Sequence, residues 1–461
     1  MKLKKKLIGD SNFYKMLFSI AVPIMIQTGI TNFVNLLDNL MIGQLGTTAM
    51  SGVSIVNQII VVYNLSIFGA VSGAGIFTAQ YYGQRNTEGV RHTVRFKYIL
   101  CAIATIIMLF LCIFFGNDLI SLFLKGDGSV AAAANTLAAG KTYMLCIIVG
   151  LPFFMITQTY GSTLKACGQT LLPMKAGLVA ITVNLVFNYL LIYGKFGFPA
   201  LGVAGAAIAT VLSRIVEAAM IVFTTHRHKE DYPFVIDLYK TFRIPKDVVM
   251  RVLKKGSPLI VNETMWGAGM AALAACYSLH GIDVVGALNI SNTLGNLFNI
   301  VLISMGEAVA IIVGQILGTG DMKRAKDTAI KIIATSVMLC ALATIVMLII
   351  APHFPKLYKT SPEIRHMATR FITIVAFFLP QNALLNTCYF TLRSGGKTLL
   401  AFFFDSFYVW CVNIVVAYCL TRFTPLPVLT IFLLVQFSDT IKTVLGVILV
   451  QKGIWLHNIV D

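Results

Sequence analysis

Apolar segments long enough to cross a bilayer follow one another along nearly the whole chain. They are placed at roughly 14–42, 52–80, 93–115, 131–160, 170–193, 202–225, 256–280, 287–316, 327–351, 365–391, 398–420 and 428–451. In hydrocarbon every backbone N–H and C=O must be paired within the protein, so only helices or a closed barrel can span. The ten-residue alternation of a barrel strand is absent. Of the residues, 57% are hydrophobic and 12% charged, which no soluble domain of this length matches. The sequence therefore predicts an all-α membrane protein with twelve transmembrane helices.

A formal net charge of +17 invites a nucleic-acid reading, but its distribution argues against one. With both ends on the same side, 25 of the 36 Lys and Arg fall in the loops and span ends of that side. The positive-inside rule then makes both termini cytoplasmic, in a multi-pass protein of the cell membrane. The excess charge is topological, with some attraction to anionic lipid; no nucleic-acid partner is expected. The nine cysteines are scattered, mostly within spans and without CxxC, and read as small apolar residues. The histidines show no metal-binding spacing, so neither a metal site nor a bound cofactor is expected.

The chain matches itself. A shift of 235 residues brings Pro23 onto Pro258, Gly46 onto Gly281, Asn57 onto Asn292, Gln80 onto Gln315 and Gly83 onto Gly318. A shift of 228 brings "TLKACGQTLL" (163–172) onto "TLRSGGKTLL" (391–400). Two six-helix lobes follow, residues 1–225 and 256–461, joined by a cytoplasmic linker at 226–255. Six is even, so both lobes enter the membrane in one orientation and are expected to be related by a pseudo-two-fold along the membrane normal. The linker is expected to tolerate labelling and insertion better than any span.

Polar residues form stripes on the apolar helices. In the first span Thr28, Thr31, Asn32, Asn35, Asp38 and Asn39 fall within an arc of about 120°. Lipid cannot cover such a face, so it meets protein or a watery cavity. The eighth span repeats the pattern with Asn289, Asn292, Asn296 and Asn299, and the fifth carries Asn184 and Asn188. Interhelical hydrogen bonding that only locks helices together is the competing explanation. Glu263 follows Pro258, whose ring frees a backbone carbonyl; carboxylate and carbonyl together suit a small cation or a proton relay. Pro23 and Pro258 are candidate hinges. Glu307 is a mid-span acid, and Asp405 lies among aromatic rings. Arg214 with Glu217, and Asp439 with Lys442, are spaced as local ion pairs.

No GxxxxGK[ST] loop is present, so any active transport must draw on an ion gradient. No nucleophile–base pair points to an enzyme. Cavity-facing aromatic and Met side chains could hold flat, cationic, lipophilic compounds.

These residues resemble the multidrug and toxic compound extrusion (MATE) transporters, in particular their NorM-like bacterial branch. The stretches that carry the likeness are "VPIMIQ…LLDNLMIGQLG", "YGQRN", "LKACGQT", "NLVFNYLLIYGKFGFPALGVAGAAIATVLSR", "GIDVVGALNISN" and "VGQILGTGD". The resemblance implies a monomeric, V-shaped pair of lobes that exports small organic cations, including drugs, in exchange for Na⁺ or H⁺ by alternating access. It implies coupling roles for Asp38, Asn184, Asn188, Thr210 and Glu263. The branch also has a helix-10 aspartate, where this chain has Asn382; Glu307 or Asp405 is the candidate replacement. A lipid-linked precursor or polysaccharide flippase of the same superfamily is the alternative, disfavoured because Lys and Arg mostly avoid the spans. A channel is disfavoured by the unequal acids, since Leu273 stands opposite Asp38 and Thr28 opposite Glu263.

Overall fold

A computed structural model describes residues 7–124, 130–358 and 360–461. It is 85% helical, with no strand among the described residues. Among the described residues, twelve helices are long and apolar enough to cross a membrane. They are α1 (Ser11–Gly43), α2 (Thr47–Gly83), α3 (Thr87–Ser121), α4 (Ala131–Ala166), α5 (Leu171–Tyr193) and α6 (Val203–Arg227), then α7 (Lys246–Ser278), α8 (Ile282–Gly318), α9 (Met322–Ile350), α10 (Pro362–Ser394), α11 (Thr398–Phe423) and α12 (Val428–Lys452). The sequence repeat survives as geometry. Helices α1 and α7 both have 33 residues, and α2 and α8 both have 37.

The repeated turn after α2 and α8 is a helix-start signal used twice. Asn86 Oδ1 accepts from Gly89 N at 2.8 Å, and its repeat partner Asp321 accepts from Arg324 N at 3.0 Å. Each side chain satisfies one of the orphan N–H groups of the following helix, α3 or α9. Two helices depart from regular geometry. Helix α4 passes through a tight 3-10 turn at Ile148–Gly150, just before Pro152, which has no N–H to donate. Helix α11 opens into π turns at Phe403–Phe407 and Val409–Asn413.

The chain divides into two compact units, and the cut differs from the halves read in the sequence. The C-terminal unit is Leu253–Asp461 together with the chain up to Met25 and Ala79–Arg85; the N-terminal unit is Ile26–Thr78 and Asn86–Val252. The cut in α1 therefore falls just past Pro23.

In the C-terminal unit, Leu17, Ile20 and Ile24 of α1 pack with Val309, Ile312 and Ile316 of α8, Leu392 of α10 and the fully buried Trp455. The ends of α2 and α8 cross there at backbone contact. A Cβ on Gly83 would meet the Gln315 carbonyl oxygen, and a Cβ on Gly318 would meet that of Gln80. Each glycine thus sits on the glutamine three residues before the other, which is the repeat partner of the glutamine before itself, and only glycine permits that approach. The tail beyond α12 is tied to the same corner: Gln80 Nε2 donates to Ser394 O at 2.9 Å, and Ile459 N donates to Gln80 Oε1 at 2.9 Å.

In the N-terminal unit part of the connection after α6 is docked against α3. Phe234, Val235 and Leu238 are buried. Arg95 of α3 donates to the backbone carbonyls of Leu238 at 3.0 Å and Asp237 at 2.7 Å. Apolar side chains at 234, 235 and 238 gave that segment something to bury, and burial outweighed the loop-like composition around it.

Candidate functional site

Helices α1, α5 and α6 bring one acid and three polar side chains together in the N-terminal unit. Asn188 Nδ2 donates to Asp38 Oδ1 at 2.6 Å. One turn back along α5, the Asn184 amide lies 3.1 Å from that of Asn188 and donates to Thr210 Oγ1 of α6 at 3.3 Å. Turned end for end, the same amide places its Nδ2 3.0 Å from Asp38 Oδ1. Both asparagines are buried, and Asp38 is half-buried. Asn188 Oδ1 is a buried acceptor with no hydrogen-bond partner, an arrangement proteins ordinarily avoid. Four of the five coupling residues expected from the sequence therefore meet. Arg214 lies within electrostatic reach of Asp38, but it is paired with Glu217 at 3.0 Å and stacks over Phe154. That pairing agrees with its spacing in the sequence.

Glu263 belongs to a different group of charges, within the C-terminal unit. Its carboxylate faces Arg393 at 3.7 Å, and the Tyr389 hydroxyl also reaches it. Beside it on α7, Asn262 is 1% exposed. Asn262 donates to Tyr389 Oη and to Asp405 Oδ2, both at 3.1 Å, and its Oδ1 accepts from Ser406 Oγ at 2.7 Å. Asp405 accepts from Lys442 Nζ of α12 at 2.9 Å. The expected local pair of Asp439 with Lys442 is thus replaced by a cross-helix pair. Asp439 is instead held by Asn413 Nδ2 at 3.0 Å. The π turns of α11 carry Asp405 and Asn413; widening a helix locally lets side chains along it reach partners that a regular helix would not.

Asn289, Asn292 and Asn296 are exposed and Asn299 half-buried, so the first three do not act as buried locks between helices. Exposed amides on a spanning helix need water or polar protein rather than lipid. Asn35 and Asn39 lie outside the described side chains. Glu307 is half-buried on α8 beside Gly306, which meets Asn386 and Phe390 of α10 in close contact. Asn382 is half-buried and hydrogen-bonds to none of the groups around Asp405 among the described residues. Pro23 and Pro258 both lie inside unbroken helices.

Asn262, Tyr389, Arg393, Ser406, Lys442 and Asn413 were not singled out by sequence reasoning as site residues. One signal was available for Asn262: it is the repeat partner of Gln27, so a polar amide stands at the same place in both halves.

No group of three or more His, Cys, Asp or Glu suited to a metal ion occurs among the described residues. Twelve spans with charged clusters in their interior define a polytopic helical membrane protein of the transporter class. The MatE family model matches residues 23–190 and 258–419, and the chain belongs to that family of MATE transporters. It is 25% identical to the probable multidrug resistance protein NorM of Thermotoga maritima over 449 residues, 96% of this chain and 93% of the relative. It is 26% identical to the multidrug resistance protein MdtK of Yersinia pseudotuberculosis, over 88% of this chain and 87% of the relative. In fold it is similar to a crystal structure of MATE in the straight conformation, with a TM-score of 0.84, 17% identity and 98% of each chain covered. It is similar also to an outward-facing multidrug resistance MATE transporter of the MOP superfamily, with a TM-score of 0.83, 17% identity, and 98% and 99% covered.

Proposed function

We propose that this protein is a secondary antiporter that exports organic cations across the cytoplasmic membrane in exchange for Na⁺ or H⁺, with Asp38 at its coupling site. The observation that carries this reading is the 2.6 Å bond from Asn188 to Asp38, made where three helices converge around a carboxylate held by neutral side chains. Neutral donors orient a carboxylate without cancelling its charge. In a setting poor in water such a group must take up a proton, a metal cation or a cationic cargo. A cargo that binds one conformation better than the other shifts the balance between them, and two cargoes competing for one carboxylate are thereby exchanged.

The drug-resistance names of the relatives support export of small organic molecules and lend nothing to the flippase alternative. Glu263 contributes less directly, because Arg393 already balances its charge. The test is reconstitution into liposomes with an imposed Na⁺ or pH gradient and a fluorescent organic cation. Gradient-driven movement is expected for the wild type and is expected to be lost in Asp38→Asn. Export by the folded Asp38→Asn protein at the wild-type rate would overturn the assignment of Asp38.

A further inference from the structure

We propose that the outward side of the connection between α6 and α7 binds anionic phospholipid, with Ile236, Tyr239 and Phe242 entering the edge of the bilayer and Lys240 and Arg243 receiving the headgroup phosphate. The site lies within the N-terminal unit and does not depend on export. Its basis is that one short segment has two unlike faces. Phe234, Val235 and Leu238 turn inward and are buried. Ile236, Tyr239 and Phe242 are 43%, 44% and 49% exposed, and Lys240 and Arg243 are exposed beside them. Three large apolar side chains grouped on one loop gain free energy from burial, and such a group marks a surface that meets something apolar.

The level at which the segment stands decides what covers them. On α3 no large apolar side chain is exposed before Ile99; from there Ile99, Ile103, Ile106, Ile107 and Phe110 all are. Such a run on a spanning helix faces hydrocarbon, so lipid begins near residue 98. The connection touches that very residue. Tyr239 Oη donates to Tyr98 Oη at 3.3 Å, and the two rings meet edge to face at 5.9 Å. Helix α6 gives the same level: its last exposed large apolar side chain is Phe223, and one turn further on His226 stacks on Tyr239 at 5.9 Å. Tyr160 of α4 holds the Tyr239 hydroxyl at 2.6 Å. Tyr98 lies eleven residues, about 16 Å, from the start of α3. The connection is therefore pinned beside the first lipid-facing turn and not out beyond the helix ends. Tyrosine clusters at this level suit the water–lipid interface, where one end of the ring is apolar and the other wet.

Charge selects the lipid. From Tyr239 to Val252 the chain has four Lys and Arg and one acid, Asp247. The other acids of the connection, Glu230, Asp231 and Asp237, all precede this stretch. Lys240 follows Tyr239 and Arg243 follows Phe242, so each cation neighbours an apolar side chain that enters the bilayer edge. Neither cation makes an ion pair among the described residues. Long basic side chains in that position reach out to the level of the phosphates. A zwitterionic lipid would cover the three apolar side chains and leave both cations without a net counter-charge. An anionic lipid supplies it.

The experiment uses the full-length protein with the photo-crosslinker p-benzoylphenylalanine in place of Phe242, in nanodiscs made of equal amounts of phosphatidylglycerol and phosphatidylcholine. After illumination, mass spectrometry identifies what was captured. Lipid is expected, with phosphatidylglycerol exceeding phosphatidylcholine about tenfold. The same crosslinker in place of Ile107, 54% exposed on the lipid-facing run of α3, should capture the two lipids in near-equal amounts. Lys240→Gln combined with Arg243→Gln should leave lipid capture at position 242 intact and bring its ratio down to that at 107. Both side chains are exposed and unpaired, so this variant should fold. Four results would overturn the proposal: no lipid captured at 242 while lipid is captured at 107, capture of a second copy of the chain in place of lipid, the same ratio at 242 as at 107 in the otherwise unchanged protein, or a ratio at 242 that the double substitution does not move.

Discussion

Lys442 Nζ lies 2.9 Å from Asp405 Oδ1, across from α12 to α11, and not on Asp439 three residues back in its own helix. The lysine side chain is 4% exposed and that of the aspartate 19%, so the pair is largely shielded from water. Removing one partner leaves the other as an uncompensated buried charge. Lys442→Met is therefore expected to lower stability by about 3–5 kcal/mol, read as a fall in the thermal unfolding midpoint of the purified protein. Adding Asp405→Asn should recover much of that loss, because the stranded charge is gone. A double-mutant cycle with no coupling between the two substitutions would contradict the pairing.

The crossing of α2 and α8 should be intolerant of any side chain. Gly83→Ala and Gly318→Ala each place a methyl group on a backbone carbonyl, which cannot rotate away as a side chain can. Both should lower the unfolding midpoint markedly, with Gly83→Leu giving no folded protein. Gly75→Ala, in the same helix with nothing within 4 Å of the added carbon, serves as the control and should be neutral or slightly stabilising. Equal midpoints for Gly83→Ala and Gly75→Ala would show that the helices do not touch there.

Trp455 is 0% exposed, with its indole Nε1 donating to Val450 O at 3.1 Å. Trp455→Ala should cost about 3–5 kcal/mol, the range for emptying an aromatic site in a packed core. Truncation after Lys452 should destabilise at least as much, since it also strips Ile459 from Gln80. Fluorescence-detected size exclusion after a heating series measures both. A truncated protein as heat-resistant as the full chain would reduce the tail to an appendage.

The docked connection after α6 separates two kinds of position. Lys240 is exposed, whereas Leu238 is 1% exposed. A cysteine at 240 should react readily in inverted vesicles and not in intact cells. Insertion of a short polar peptide at 238 should reduce the yield of folded protein several-fold, because it breaks both Arg95 bonds. Labelling of position 240 from outside intact cells would reverse the expected topology.

In the coupling cluster, Asn188→Leu should leave Asp38 without its 2.6 Å donor while preserving side-chain volume. Loss of a hydrogen bond to a charged group is worth about 1.5–3 kcal/mol, so gradient-driven transport should fall by about tenfold or more. The Asn188→Asp variant, which adds a second acid, should shift the pH dependence of transport rather than abolish it. Initial rates in vesicles at fixed gradient, measured across pH, distinguish these outcomes.

The number of helices, their approximate limits and the internal repeat were legible in the residues themselves. Membrane-length hydropathy and helical periodicity are local properties, and a duplicated unit leaves its mark as aligned Pro, Gly, Gln and Asn. Asp38, Asn184 and Asn188 were legible as polar positions on apolar spans for the same reason. What a buried charge pairs with was not. Lys442 has Asp439 one turn away in its own helix and Asp405 on the neighbouring one, and i,i+3 spacing favours the first. The choice of the second depends on how α11 is wound, and its π turns are set by packing rather than by any periodic signal. The same holds for Glu263, which reads as a free acid until Arg393 of α10 is brought opposite it. Nor could the sequence indicate that the chain would be cut just past Pro23 and after Thr78 into its two compact units. Those cuts follow from which helix segments share a core, and that depends on contacts between residues hundreds of positions apart.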